Sequence, residues 1–205
     1  MTSTQKPLRQ RSTTEQRLDL AIGVILLVSA GAAVGGMFGL LLVWGGRVMP
    51  AWAVGATLLL VSLLLTVARS IIRKQRNRAT GEGSPRRRSG WWTALAVVTA
   101  ICAGFIGFRD LAFDASYQVL QPSGPGFCQA VAREDSFLFS GGGELYKVGF
   151  GGIGMPVSSW TADDGYRPIE SGSYDFKWTS DGALLSVYGS GVDPVWPELH
   201  DFDCR

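Results

Sequence analysis

The chain has 205 residues, 46% of them hydrophobic and only 18% charged, against roughly 25% charged in ordinary soluble domains. A formal net charge of +2 hides a division: 13 basic and 3 acidic residues up to Phe108, then 6 basic and 14 acidic beyond it, or +10 against −8. This excludes one uniform soluble domain. A nucleic-acid partner is not expected either, because long apolar runs interrupt the basic half.

Residues 1–19 form a basic tail carrying Lys6, Arg9, Arg11 and Arg17. From 20 to 44 no ionisable side chain occurs, and at 1.5 Å per residue this run exceeds the about 20 residues that cross a roughly 30 Å hydrocarbon layer. Ala30 to Ala33 resembles a signal-peptide cleavage site, but the run continues through Met37, Phe38 and Leu40 to Val43. It therefore reads as an anchor. A second span is expected over 51–72, with Arg69 snorkelling to the headgroups, and a third over 91–108.

Positive charges in short loops stay on the cytoplasmic side. The 45–50 turn has only Arg47, whereas the 73–90 loop has Arg73, Lys74, Arg76, Arg78, Arg86, Arg87 and Arg88. The expected topology is a multi-pass plasma-membrane protein with a cytoplasmic amino terminus and everything after Phe108 outside. The 73–90 cluster reads first as a topology determinant and second as a site for anionic lipid. Trp44 and Trp52 bracket the outer turn, while Trp91 and Trp92 open the third span at the inner interface.

Gly31, Gly35 and Gly39 recur every four residues in the first span, as do Ala96, Ala100 and Gly104 in the third. Small residues at this interval let backbones approach closely, so these faces are expected to pack on each other, on a partner membrane protein, or in a homo-oligomer. The spans hold no Asp, Glu, Lys or His, which weakens a transporter reading. Cys102, in mid-span, reads as a packing residue.

Beyond residue 108 the pattern changes to short segments separated by Gly, Pro, Asp and Ser, with 14 of the 27 glycines. Residues 109–127 read as a connector holding a strand at 116–120, and 128–205 as an extracytoplasmic β-domain. Tyr174, Phe176 and Trp178 alternate with Asp175 and Lys177, and Thr179 to Gly182 supplies an Asp-Gly turn before Leu185 and Val187 resume alternation; this is a β-hairpin signature. The hairpin resembles a fragment of a propeller blade, but it occurs once, and a propeller needs about four blades or more. Residues 144–150 alternate similarly, and Gly141 to Gly143 are expected to turn them back on a strand at 136–140. Further strands are expected at 156–161, 166–169 and within 195–204. The fold class is thus membrane α plus all-β: three transmembrane helices followed by a small antiparallel β-sandwich or barrel.

Cys128 and Cys204 bracket this domain, and an oxidising compartment favours joining them. Closing a loop of that length is worth roughly 4 kcal/mol in the chain-entropy account. The lone histidine, His200, lies among Glu198, Asp201 and Asp203, but strand alternation divides those groups between two faces. A solvated edge is the simpler expectation, with no metal and no cofactor. Asp163, Asp164 and Asp181 beside glycines read as turn formers. Ser123, Ser140 and Ser173 sit in no nucleophile-elbow motif, and Gly149 to Gly154 lacks the following helix that phosphate cradling requires. No catalytic constellation is legible. The expected role is an accessory, sensory or binding subunit of an envelope assembly, with the lipid bilayer and a membrane protein as partners. The alternatives are a metal-dependent enzyme using His200 and its carboxylates, or an oligomeric channel or transporter subunit. Fifteen Arg against four Lys suggest a bacterial source.

Overall fold

The computed structural model describes residues 13–80, 90–124, 126–191 and 193–204. Three helices, α1 (Thr13–Met37), α2 (Ala51–Thr80) and α3 (Gly90–Ala112), are each long and apolar enough to cross a bilayer. Their outward surfaces carry Leu20, Val24, Leu60, Leu64, Ile101 and Phe105 in exposed positions. So continuous an apolar exterior suits lipid and not water.

The first helix ends earlier than its apolar run. Gly39 adopts φ +73°, its N–H donates to the Gly36 carbonyl at 3.0 Å, and the Leu40 N–H donates to Gly35 at 2.9 Å. This is a Schellman cap, in which glycine takes the left-handed residue at no Cβ cost; the Leu40 side chain folds back over Gly35. Residues 38–44, expected to be helical, instead lead into strand β1 (Leu41–Trp44), which pairs through Gly45 and Gly46 with β2 (Arg47–Pro50). The hydropathy of Leu41 and Val43 is used in a β core rather than in lipid. The other boundaries move outward. The second helix runs on to Thr80, so Arg73, Lys74, Arg76 and Arg78 lie on helix rather than loop, and α3 continues past 108 to Ala112, so the 109–127 connector begins with a helical turn.

The remaining strands are β3 (Ser116–Val119), β4 (Gln129–Phe137), β5 (Ser140–Val148), β6 (Ile153–Asp163), β7 (Tyr174–Trp178), β8 (Gly182–Val187), β9 (Val195–Trp196) and β10 (Leu199–Asp203). All pairings are antiparallel. One sheet runs β2-β1-β6-β5-β4-β3, with β9 on β6, and β2 returns against β3. The result is a nearly closed barrel, with a small sheet, β10-β8-β7, packed on it.

Strands β4 and β5 are buried on both faces. Val131, Tyr146 and Val148 point into the barrel with Leu41 and Val43. Ala130, Ala132 and Leu145 point the other way, into a core completed by Trp160, Phe176, Leu185, Val187 and Phe202. The expected 174–188 hairpin forms with Tyr174 opposite Val187 and Trp178 opposite Ala183. Cys128 and Cys204 are joined, 5.9 Å apart at Cα.

Two strand expectations are corrected. The β4–β5 turn consists of Leu138 and Phe139, between the paired Phe137 and Ser140, so 136–140 is a strand end and turn rather than a strand. Gly141 to Gly143 lie within β5. They are there for close approach: a Cβ on Gly141 would strike the Tyr166 backbone, and one on Gly143 the Trp160 indole. Residues 166–169 are irregular chain leading into a turn instead of a strand, and Glu134 holds the Ile169 and Glu170 N–H groups on its carboxylate, both at 2.8 Å.

Candidate functional site

The helices and the β-domain meet at one buried carboxylate. Asp110, in the last turn of α3, accepts hydrogen bonds from Trp52 Nε1 of α2 at 2.6 Å, the Tyr117 hydroxyl of β3 at 2.8 Å and an Arg133 nitrogen of β4 at 2.9 Å. Four separate elements are thereby tied to one side chain. The local folding explains each position. The Schellman cap and the β1–β2 hairpin deliver the chain to Ala51, where α2 starts and places Trp52 in its first turn. Gly107 lets the indole come close to α3, since a Cβ there would lie 2.9 Å from the ring. Strand alternation sends Ala132 to one side of β4 and Arg133 to the barrel interior, while β3 sets Tyr117 opposite Arg133.

Arg133 is 4% exposed. Besides Asp110 it meets Asp135 at 2.6 Å and Glu144 at 3.7 Å, and Glu144 also accepts the Tyr146 hydroxyl. A guanidinium is suited to such a site because it stays charged and fans its donors in a plane. Burial opposes the charge on Arg133, but the facing groups, Asp135 and Asp110 among them, outweigh it and raise its pKa. Burial first, then the neighbouring carboxylates Asp110 and Glu144, push the hydroxyls of Tyr117 and Tyr146 far up. Both phenols remain donors at any physiological pH.

Beside this network lies a half-open cavity of about 290 Å³. Met37, Phe38, Leu40, Trp52 and Ile106 line it on the apolar side, and Arg109, Asp110, Arg133, Glu144 and Tyr146 make up its polar floor. Within the floor, polar groups bond to one another through Arg133, which meets Asp110 and Glu144, and through the Tyr146 hydroxyl on Glu144.

Within the chain, the residues expected to pack the first helix on the third are placed differently. Both Gly31 and Gly104 have nothing within 4 Å of a built Cβ, and Gly39 lies outside the helix as its cap. Ala100 is exposed and Ala96 half-buried. The first helix does pack on α3, but the buried face of α3 is Thr99, Ala103, Gly107 and Asp110, rotated by about one residue from the expected one. The closest approach joins α1 to α2. There a Cβ on Gly55 would lie 3.0 Å from the Ala33 nitrogen, and the Ser29 hydroxyl donates to the Gly55 carbonyl at 2.7 Å. Both 100 and 103 satisfy a four-residue spacing, and only the partner's position chooses between them.

Arg69 does not merely snorkel: it is ion-paired with Asp19 of α1. Arg73, Lys74 and Arg78 are exposed, while Arg86, Arg87 and Arg88 fall outside the described residues. Trp44 is exposed, but Trp52 is committed to Asp110.

His200 is 1% exposed rather than on a solvated edge. Its ring packs against Trp160, 5.3 Å between centroids. Nε2 lies 3.0 Å from the Pro197 carbonyl and Nδ1 2.7 Å from the Ser158 hydroxyl. A carbonyl only accepts, so this network assigns the proton to Nε2 and leaves Nδ1 accepting from Ser158. Burial lowers the His200 pKa. Glu198, Asp201 and Asp203 are exposed, and among the described residues no three His, Cys, Asp or Glu side chains gather as a metal-ligand set.

Sequence reasoning missed Asp110, Arg133 and Glu134. The available signal was the run Ala130 to Asp135, in which charges occupy consecutive positions of an otherwise apolar strand with both faces covered. Compared with family models, curated proteins and solved structures, the chain matches none of them.

Proposed function

We propose that the protein is a three-span component of a bacterial cell membrane that displays its disulfide-linked β-domain outside the cytoplasm and acts, without catalysis of its own, as a binding or sensory subunit of an envelope assembly. The Asp110 network is the observation that carries this reading. It fastens the β-domain to the mouth of the helix bundle, and β1–β2 carries the backbone of the spans into the barrel, so a partner that moves the domain also moves the helix ends. The charge distribution supports the orientation, since Arg73, Lys74 and Arg78 lie at the end of α2 remote from the β-domain. A metal enzyme built on His200 draws little support, because both ring nitrogens face protein groups.

Orientation is tested in intact cells with a membrane-impermeant maleimide, in a Cys102→Ser background. A cysteine replacing Ser180, in the β7–β8 turn, is expected to label, and one replacing Arg78 to label only after lysis; the reverse pattern would invert the topology. The subunit role is tested by purification from native membranes in mild detergent. The expected result is a membrane protein retained at fixed stoichiometry, and isolation of the chain alone after crosslinking in the membrane would remove the proposal.

A further inference from the structure

The turn between β4 and β5 is built against its own backbone chemistry. Two-residue hairpin loops favour Asn, Asp and Gly, because a positive φ is required; here the residues are Leu138, at φ +55°, and Phe139. Both side chains are 77% exposed, and the preceding Phe137 is 47% exposed. Three large apolar residues therefore stand at a tip whose conformation asks for none of them, and something outside the turn accounts for their presence.

The tip is held at a defined height. The Ser136 N–H donates to the Phe113 carbonyl at 2.9 Å, and the Phe113 and Phe137 rings lie 4.9 Å apart. Phe113 is the residue immediately after α3. The final turns of that helix leave Phe108 and Leu111 72% and 79% exposed, so the apolar surface of α3 continues through Phe113 to the tip. With 23 residues, α3 is roughly 34 Å long, slightly more than the hydrocarbon layer of roughly 30 Å. Taken as a span, α3 brings its end to headgroup depth, where aromatic side chains are enriched.

We propose that Phe137, Leu138 and Phe139 form a wedge that docks into the interfacial layer of the bilayer beside α3. This rests on reading the three helices as spans. The occupant is lipid because the tip is continuous with the lipid-facing helix surface. The wedge gives the β-domain a second attachment to the membrane, beyond the Asp110 network, and fixes its tilt.

The test uses the full chain with Cys102→Ser in vesicles of phosphatidylcholine and phosphatidylglycerol, with an environment-sensitive fluorophore on single cysteines and lipids brominated on their acyl chains. The positions are Leu138→Cys, Phe139→Cys, Phe105→Cys on the outward face of α3, and Ser180→Cys. Strong quenching is expected at 105, roughly twofold quenching at 138 and 139 from a group within the 5–10 Å interfacial layer, and none at 180. Quenching at 105 with none at 138 or 139 overturns the wedge and leaves the spans intact. Absence of quenching at all positions overturns both. Crosslinking of Leu138→Cys to itself between chains, without quenching by bromolipid, assigns the tip to a second copy and also overturns the proposal.

Discussion

Replacing Asp110 by alanine removes the acceptor of three hydrogen bonds at once. Its side chain is 9% exposed and that of Arg133 5%, so water cannot readily take its place. Breaking a buried ion pair by deleting one member costs about 3–5 kcal/mol, and an orphaned buried donor such as the Trp52 N–H or the Tyr117 hydroxyl adds about 1–3 kcal/mol. Arg133 keeps Asp135 at 2.6 Å, which holds the ionic part toward its lower limit. These contributions share partners and do not add, so about 3–4 kcal/mol is expected. For a chain of this size that lowers the midpoint of thermal unfolding by about 10 °C, read from tryptophan fluorescence of the full chain in detergent. The companion variant Asp110→Leu/Arg133→Met replaces the buried pair by apolar groups, a change often close to neutral. It is expected to lose less than the two single changes together. A melting temperature of Asp110→Ala within about 1 °C of the parent, or additive losses in the double variant, would refute the reasoning.

The helix interface yields a paired expectation: Gly55→Leu forces a side chain against the α1 backbone and costs about 1–3 kcal/mol or more, whereas Gly31→Leu, with nothing near it, leaves the melting curve unchanged. Equal losses in the two variants would restore the Gly31 face as the packing surface. Substituting Cys128 and Cys204 by serine destabilises the β-domain by roughly 4 kcal/mol, measured as greater protease sensitivity of residues beyond the helices, and full resistance would show that the link is dispensable. For His200 the folded pKa lies below its usual value, so the unfolded chain binds the extra proton. Stability is therefore complete above about pH 6.5 and declines as pH falls below it, levelling once the folded group titrates. A His200→Gln variant is expected to flatten that slope, and an unchanged slope would place the acid sensitivity elsewhere.

The three helices and the disulfide-linked β-domain were legible because they rest on local signals. A run of twenty-odd apolar residues marks a helix long and apolar enough to cross a bilayer, and period-two alternation with an Asp-Gly turn marks the 174–188 hairpin. What failed was any inference that needed a partner's position. Apolar residues 41–44 suit a helix in lipid as well as a strand in a barrel, and the choice is made by Gly39 closing the helix and β6 offering Gly154 and Ile153 as partners. Gly141 to Gly143 have turn composition, but the Trp160 ring and the Tyr166 backbone decide that they lie in a strand. Asp110, Arg133 and Trp52 stand apart in sequence, and the charges of Asp110, Arg133, Asp135 and Glu144, divided between helix and strands, become one network only when the barrel settles on the helix ends. Composition and periodicity thus marked the long apolar helices and the alternating strands, though not the surroundings of residues 41–44, since hydrophobic transfer is roughly additive along the chain and does not depend on which apolar surroundings receive a residue. Tertiary structure alone decided which polar groups converge at the junction, because burying a charge is tolerable only where the fold brings it a partner.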